Sequence, residues 1–128
     1  MSFDVYIEVP ECSACGRRSE SLYQFNVTHN LNSIVEITLA PSRLKGCRPE
    51  SGYVERSWGR LSGHTVRVVR PAMEAAEKIL LDPERREEFR ALEPENGWGT
   101  YAHLVVVYHG FCEQLAAAKD EWVIDARG

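Results

Sequence analysis

Two stretches with a period of two flank a Cys-x-x-Cys-Gly turn near the N-terminus, and no other feature constrains the fold of this chain as strongly. Phe3-Asp4-Val5-Tyr6-Ile7-Glu8-Val9 alternates apolar residues with polar or aromatic ones and stops at Pro10. Leu22-Tyr23-Gln24-Phe25-Asn26-Val27-Thr28 alternates in the same way. Alternation places one face of each strand on a core, so residues 3–9 and 21–28 are expected to pair as a hairpin. The turn between them, Cys12-Ser13-Ala14-Cys15-Gly16, is the knuckle that presents two thiolates to one zinc ion. Tetrahedral zinc needs two further ligands. His109 and Cys112 repeat the spacing on one helix face and are the expected completion, with Cys47 or His29 as substitutes. The opposing reading keeps Cys12 and Cys15 as free thiols and Cys112 as a core residue.

After the hairpin the period changes. Leu31, Ile34, Val35 and Leu39 recur at helical spacing between Asn30 and Ala40, where a short helix is favoured over a strand. Residues 41–64 hold two prolines and four glycines without a sustained period and read as a long irregular connection. Pro71 suits the first turn of a helix, with Ala72, Ala75, Ala76, Ile79 and Leu80 as its apolar stripe. Asp82-Pro83 breaks that helix, and a second one carrying Phe89 and Leu92 ends at Pro94. Thr100 is placed to cap a long final helix with the stripe Leu104, Val107, Tyr108, Phe111, Cys112 and Leu115. Glu121 to Ala126 alternates like an edge strand. The expected fold is therefore α+β, with a small antiparallel sheet made by the N-terminal hairpin and the C-terminal strand, packed by three to four helices on one face.

At 128 residues with 44% hydrophobic and 27% charged content, the chain fits one domain, residues 1–128, with one core. The first four residues have neither a basic region nor an apolar one, and no apolar run approaches the roughly 18 residues of a membrane span. A cytoplasmic protein with reduced thiols and no membrane partner is expected. In a secreted chain the Asn26-Val27-Thr28 sequon would instead accept a glycan.

The net charge of −4 opposes bulk attraction to nucleic acid, but the charge is unevenly spread. Arg43, Lys45, Arg48, Arg56, Arg60, Arg67 and Arg70 face only Glu50 and Glu55 between residues 41 and 70, a local +5. These seven bases are the candidate anion-binding group, and Tyr53 and Trp58 could stack on bases of a nucleic acid.

Two further motifs remain. Asn26, Thr28 and Asn30 lie two apart, so a strand would aim three uncharged hydrogen-bonding groups at one face. Pro94-Glu95-Asn96-Gly97-Trp98-Gly99-Thr100-Tyr101 joins two helices through a tight turn, and its glycines at a helix N-terminus also suit an anion or a stacked ring. The candidate ligand site is one pocket formed by Asn26, Thr28, Asn30, Trp98 and Tyr101. The architectural alternative has Thr28 and Asn30 capping a helix and Trp98 covering the end of the bundle.

Together with Cys12-Ser13-Ala14-Cys15-Gly16, these two motifs resemble a family of small proteins from actinobacteria and their phages that combine C-x-x-C-G, N-x-T-x-N and NGWG-x-Y segments. The resemblance runs from Cys12 over most of the chain and departs at residues 41–70, where those proteins are shorter and lack the basic run. It implies one fold and a phage-like source, placing the protein in the host cytoplasm, and no reaction. No hydrolase elbow, Walker loop, HExxH or nucleotide fingerprint is present in the sequence. The leading expectation is a non-enzymatic, host-modulating or anti-defence binding module, stapled by zinc and binding a small polar molecule or a host protein. The alternatives are a nucleic-acid binder using the 41–70 segment and a small nucleotide-directed enzyme with His29 or His64 as base.

Overall fold

The computed structural model describes residues 2–12, 14–16, 20–47 and 54–128. The first two alternating segments form β1 (Ser2–Val9) and β2 (Glu20–Thr28), paired antiparallel from Ser2↔Thr28 to Val9↔Glu20 with an irregularity at Ile7/Glu8. β3 (Val123–Arg127) lies antiparallel on the other side of β1, so the sheet order is β2-β1-β3 and the two chain ends meet in one sheet. This is the α+β architecture expected from the sequence.

β1 obeys the period of two strictly. Phe3, Val5, Ile7 and Val9 are buried while Ser2, Asp4, Tyr6 and Glu8 are half-buried on the opposite face. The inner face receives α1 (Asn32–Leu39), α2 (Val66–Leu80) and α4 (Tyr101–Ala117), and the short α3 (Arg86–Ala91) adds Phe89 to the same core. α1 enters through a 3₁₀ turn, His29–Leu31, for which the Thr28 hydroxyl accepts the Asn30 amide. α4 is capped as expected, the Thr100 hydroxyl accepting from the His103 amide at 3.1 Å.

Two expectations are corrected. The first concerns the 41–64 connection, which is not simply an irregular loop. Ser57–Leu61 forms a 3₁₀ turn that drives Trp58 into the core, edge-on to Phe25 at 5.1 Å and to Tyr108 at 5.3 Å. Trp58 is fully buried and is no stacking platform for a base. Tyr53 lies outside the described residues.

The second concerns α2, which begins at Val66 rather than at Pro71. A proline inside a helix removes one hydrogen bond and crowds the carbonyl four residues back, so the turn before it needs outside support. That support comes from the other end of the chain. The Val66 amide donates to the Trp122 carbonyl at 2.8 Å and the Arg67 amide to the Asp120 carbonyl at 3.1 Å. Orphan amides of the first turn are satisfied by the turn that leads into β3. Just upstream, the Gly63 amide donates to the Ile124 carbonyl and the Ile124 amide to the His64 carbonyl, covering the outer edge of β3.

Candidate functional site

The residues of the two polar motifs lie at the end of the sheet where β2 passes into α1. Asn26 projects from the outer face of β2, where its side-chain amide donates to Asp4 Oδ1 and Ser2 Oγ, each at 2.7 Å. It is a cross-strand tie. Thr28 caps the 3₁₀ turn, as above. Asn30 reaches across to the second motif and donates from Nδ2 to the Trp98 carbonyl at 3.4 Å.

The NGWG segment is seated on that turn. Gly97 and Gly99 both take positive φ, 74° and 99°. At Gly99 an added Cβ would lie 2.7 Å from Thr28 Cγ2 and 3.1 Å from Leu31 Cδ1, so only glycine lets the backbone rest against α1's entry. The Asn96 carboxamide oxygen accepts the Trp98 amide at 3.0 Å, closing the turn from inside. Its consequence is that Trp98 points outward, 71% exposed, from a backbone that is held at several points.

Tyr101 is different. It is buried, stacked on Phe89 at 6.1 Å, and its hydroxyl donates to the Leu80 carbonyl at 2.6 Å. Its amide is accepted by the Glu93 carboxylate at 2.7 Å. The five residues therefore do not line one pocket. Thr28, Asn30 and Trp98 converge, whereas Asn26 is tied to β1 and Tyr101 fastens α4 to the end of α2.

The predicted zinc set is not assembled. Cys12 and Cys15 share one turn, in which the Gly16 amide donates to the Cys12 carbonyl at 2.9 Å. His109 instead sits between two carboxylates, with Nε2 at 3.0 Å from Glu113 and Nδ1 at 3.6 Å from Glu77. Cys112 is half-buried against the core, where burial pushes its thiol up to about 12. Among the described residues no group of three or more His, Cys, Asp or Glu side chains could hold a metal ion.

The basic segment is tied in part into the fold, while Lys45 and Arg67 keep most of their side chains in water. Arg60 makes a two-pronged pair with Glu36, at 2.7 Å and 3.1 Å, and donates to the Leu44 carbonyl. The guanidinium holds the Glu36 carboxyl below the usual carboxylate range. Arg70 clamps the end of α4 through the Leu115 and Ala118 carbonyls and reaches Asp120 at 2.6 Å, an acid that Arg67 also approaches at 3.6 Å. Lys45 pairs with Glu55 at 3.1 Å. Arg43 and Arg56 stand exposed, and Arg48 lies outside the described residues. Two acids from elsewhere in the fold, Glu36 and Asp120, engage three of the seven bases, and Lys45 is paired within the segment.

Two features had no distinct sequence signal. One is a shallow apolar groove of about 320 Å³ between the end of α1 and α2, lined by Leu44, Val68, Pro71, Ala72 and Ile79. Its two lining hydroxyls are already engaged, that of Thr38 by the Val35 carbonyl and Tyr108 and that of Ser42 by the Leu39 carbonyl. The other is the approach of Cys47 to His64, with Sγ 3.7 Å from Nδ1 and 3.6 Å from Nε2. Compared with known proteins, the chain matches no family model, and neither curated proteins nor solved structures show significant similarity to it. No helix among the described residues is long and apolar enough to cross a membrane.

Proposed function

We propose that the protein is a non-enzymatic binding module whose contact point is the Trp98 turn, and that its partner is another protein. The observation that carries this reading is an indole 71% exposed on a backbone fixed by Asn30, Asn96 and the Gly99 contact with Thr28 and Leu31. A large aromatic side chain left in water costs solvation free energy, and a rigid one loses little entropy on docking, which is the profile of an interface anchor. A convex turn suits a protein surface better than it suits an enclosed small molecule. Thr28 and Asn30 act as its support rather than as direct ligands. The resemblance to actinobacterial and phage proteins makes a host protein the proposed partner and host modulation the proposed role. Zinc at Cys12 and Cys15 remains a separate proposal with two ligands named, to be checked by metal analysis of the purified protein.

Trp98→Ala tests the reading. The variant should keep its melting temperature, because little of the side chain is packed. It should also lose at least about 2 kcal/mol of partner affinity, roughly thirtyfold. Wild-type and W98A proteins would be used as paired baits, captured proteins identified by mass spectrometry and their Kd values measured. Equal capture and equal affinity for both baits would refute the role of Trp98.

A further inference from the structure

Cys47 and His64 come from parts of the chain that the Trp98 turn does not touch, and the fold holds them together at three points. The Cys47 amide donates to the Ser62 carbonyl at 2.6 Å. The His64 carbonyl accepts from the Ile124 amide at 2.9 Å, which fixes that residue to the edge of β3. On the ring itself, Nε2 lies 2.6 Å from the Lys45 carbonyl oxygen. A carbonyl can only accept, so Nε2 carries the hydrogen and the free lone pair of the neutral imidazole is on Nδ1; Cys47 Sγ lies beside the ring almost equally far from the two nitrogens, 3.7 Å from Nδ1 and 3.6 Å from Nε2. The arrangement is a nucleophile, a base beside it and a third group that sets the tautomer of the base. Gly46 makes the approach possible, since an added Cβ there would overlap the Gly59 carbonyl oxygen and crowd Val54. Cys47 is exposed.

The surroundings also narrow the chemistry. Acyl transfer builds a negative oxygen that needs free amide donors. Among the described residues next to the thiol, the amides of Gly46 and Cys47 are both committed, to the Val54 and Ser62 carbonyls. A displacement that creates no oxyanion on carbon has no such requirement. We propose that Cys47, with His64 as its proton partner, is a peroxide-reactive thiol. The thiol proton passes to Nδ1 of His64, and a sulfur electron pair attacks one peroxide oxygen. An S–O bond forms as the O–O bond breaks, and the departing hydroxide takes the proton back from the imidazolium as water. Sulfur is oxidised by two electrons to a sulfenic acid, and the hydroperoxide is reduced by two.

The test is competition within one molecule. Fully reduced protein is treated with hydrogen peroxide in the presence of dimedone, and adducts on Cys12, Cys15, Cys47 and Cys112 are quantified over time by peptide mass spectrometry. Cys15 is likewise exposed and serves as the internal reference, with the half-buried Cys112 as the slow one. Cys47 should be labelled at least about tenfold faster than Cys15. His64→Gln keeps an N–H for the Lys45 carbonyl but has no base, and it should bring Cys47 down to the Cys15 rate with an unchanged melting temperature. If wild-type Cys47 reacts no faster than Cys15, the proposal fails whatever the variant does. If folded H64Q keeps the wild-type rate, His64 is not the base and it fails as well.

Discussion

Arg60 carries a formal positive charge in a basic stretch, yet its side chain is only 15% exposed and its guanidinium is directed at Glu36 and the Leu44 carbonyl. Glu36 also accepts the Ser57 amide, and Ser57 Oγ donates to Asn32. That matters because Ser57 has φ of 51°, a left-handed conformation that a non-glycine residue adopts only when its neighbours hold it. The Arg60–Glu36 pair thus anchors the segment that buries Trp58. Arg60→Met should destabilise the protein by about 1 to 2 kcal/mol, toward the lower end because about a third of Glu36 stays in water. The sign with pH follows from Glu36. Its folded carboxyl is held below the ordinary range, so the contribution is present above about pH 4.3 and lost as pH falls through the folded value. Urea unfolding of the two proteins should therefore show the largest gap near neutral pH and a shrinking gap in acid. A gap independent of pH would assign the cost to the Leu44 hydrogen bond and packing instead.

At the scale of elements, Gly99 and Pro71 mark where local sequence rules meet tertiary contacts. Gly99→Ala would force a Cβ into Thr28 and Leu31 at a φ of 99°, which L residues disfavour. A loss of about 2 kcal/mol or more is expected in thermal unfolding, together with a weakening of partner capture, because the Trp98 turn would lift from its seat. Pro71 shows the converse. It is tolerated because the amides of Val66 and Arg67 find acceptors in Trp122 and Asp120. Pro71→Ala would restore an amide for the Arg67 carbonyl and should raise stability by about 1 kcal/mol, after allowance for the freer unfolded chain. A lower melting temperature would mean that the ring's packing in the apolar groove outweighs the missing hydrogen bond. These two positions also explain what the sequence could and could not disclose. β1, β2, the Thr100 cap and the break at Asp82-Pro83 follow from patterns within a few residues, and they stand where those patterns place them. The start of α2, the burial of Trp58 and the pairing of Arg60 depend on groups far along the chain, which no local period records. The candidate site divides in the same way. The NGWG turn announces itself through its glycines, whereas the burial of Tyr101 and the His64 tautomer are set by single carbonyls, of Leu80 and Lys45.

For the whole molecule, the last residues decide whether the parts cohere. β3 gives β1 its second partner, and without it β1 and β2 would be a two-stranded hairpin that depends on the helices for support. Ile124 and Ala126 are fully buried members of the core. Asp125, 3% exposed, accepts from the Ser62 hydroxyl at 3.3 Å and from Arg127 at 2.7 Å, joining the sheet to the turn that follows Trp58. Asp120 anchors Arg70, and the carbonyls of Asp120 and Trp122 complete the first turn of α2. Removing residues 120–128 would therefore strip β1 of its second partner, leave two helix amides without protein acceptors and open the core along one side in a single step. Because these losses fall on the sheet, on α2 and on the Trp58 turn together, the expected result is loss of the cooperative transition rather than a lower melting temperature. Circular dichroism would show it, with helical signal partly retained in the far ultraviolet and the aromatic bands of Trp58, Tyr108 and Phe111 lost in the near ultraviolet. A sharp two-state melt in the truncated chain would show instead that the hairpin and helices form a self-sufficient core, with β3 an added edge.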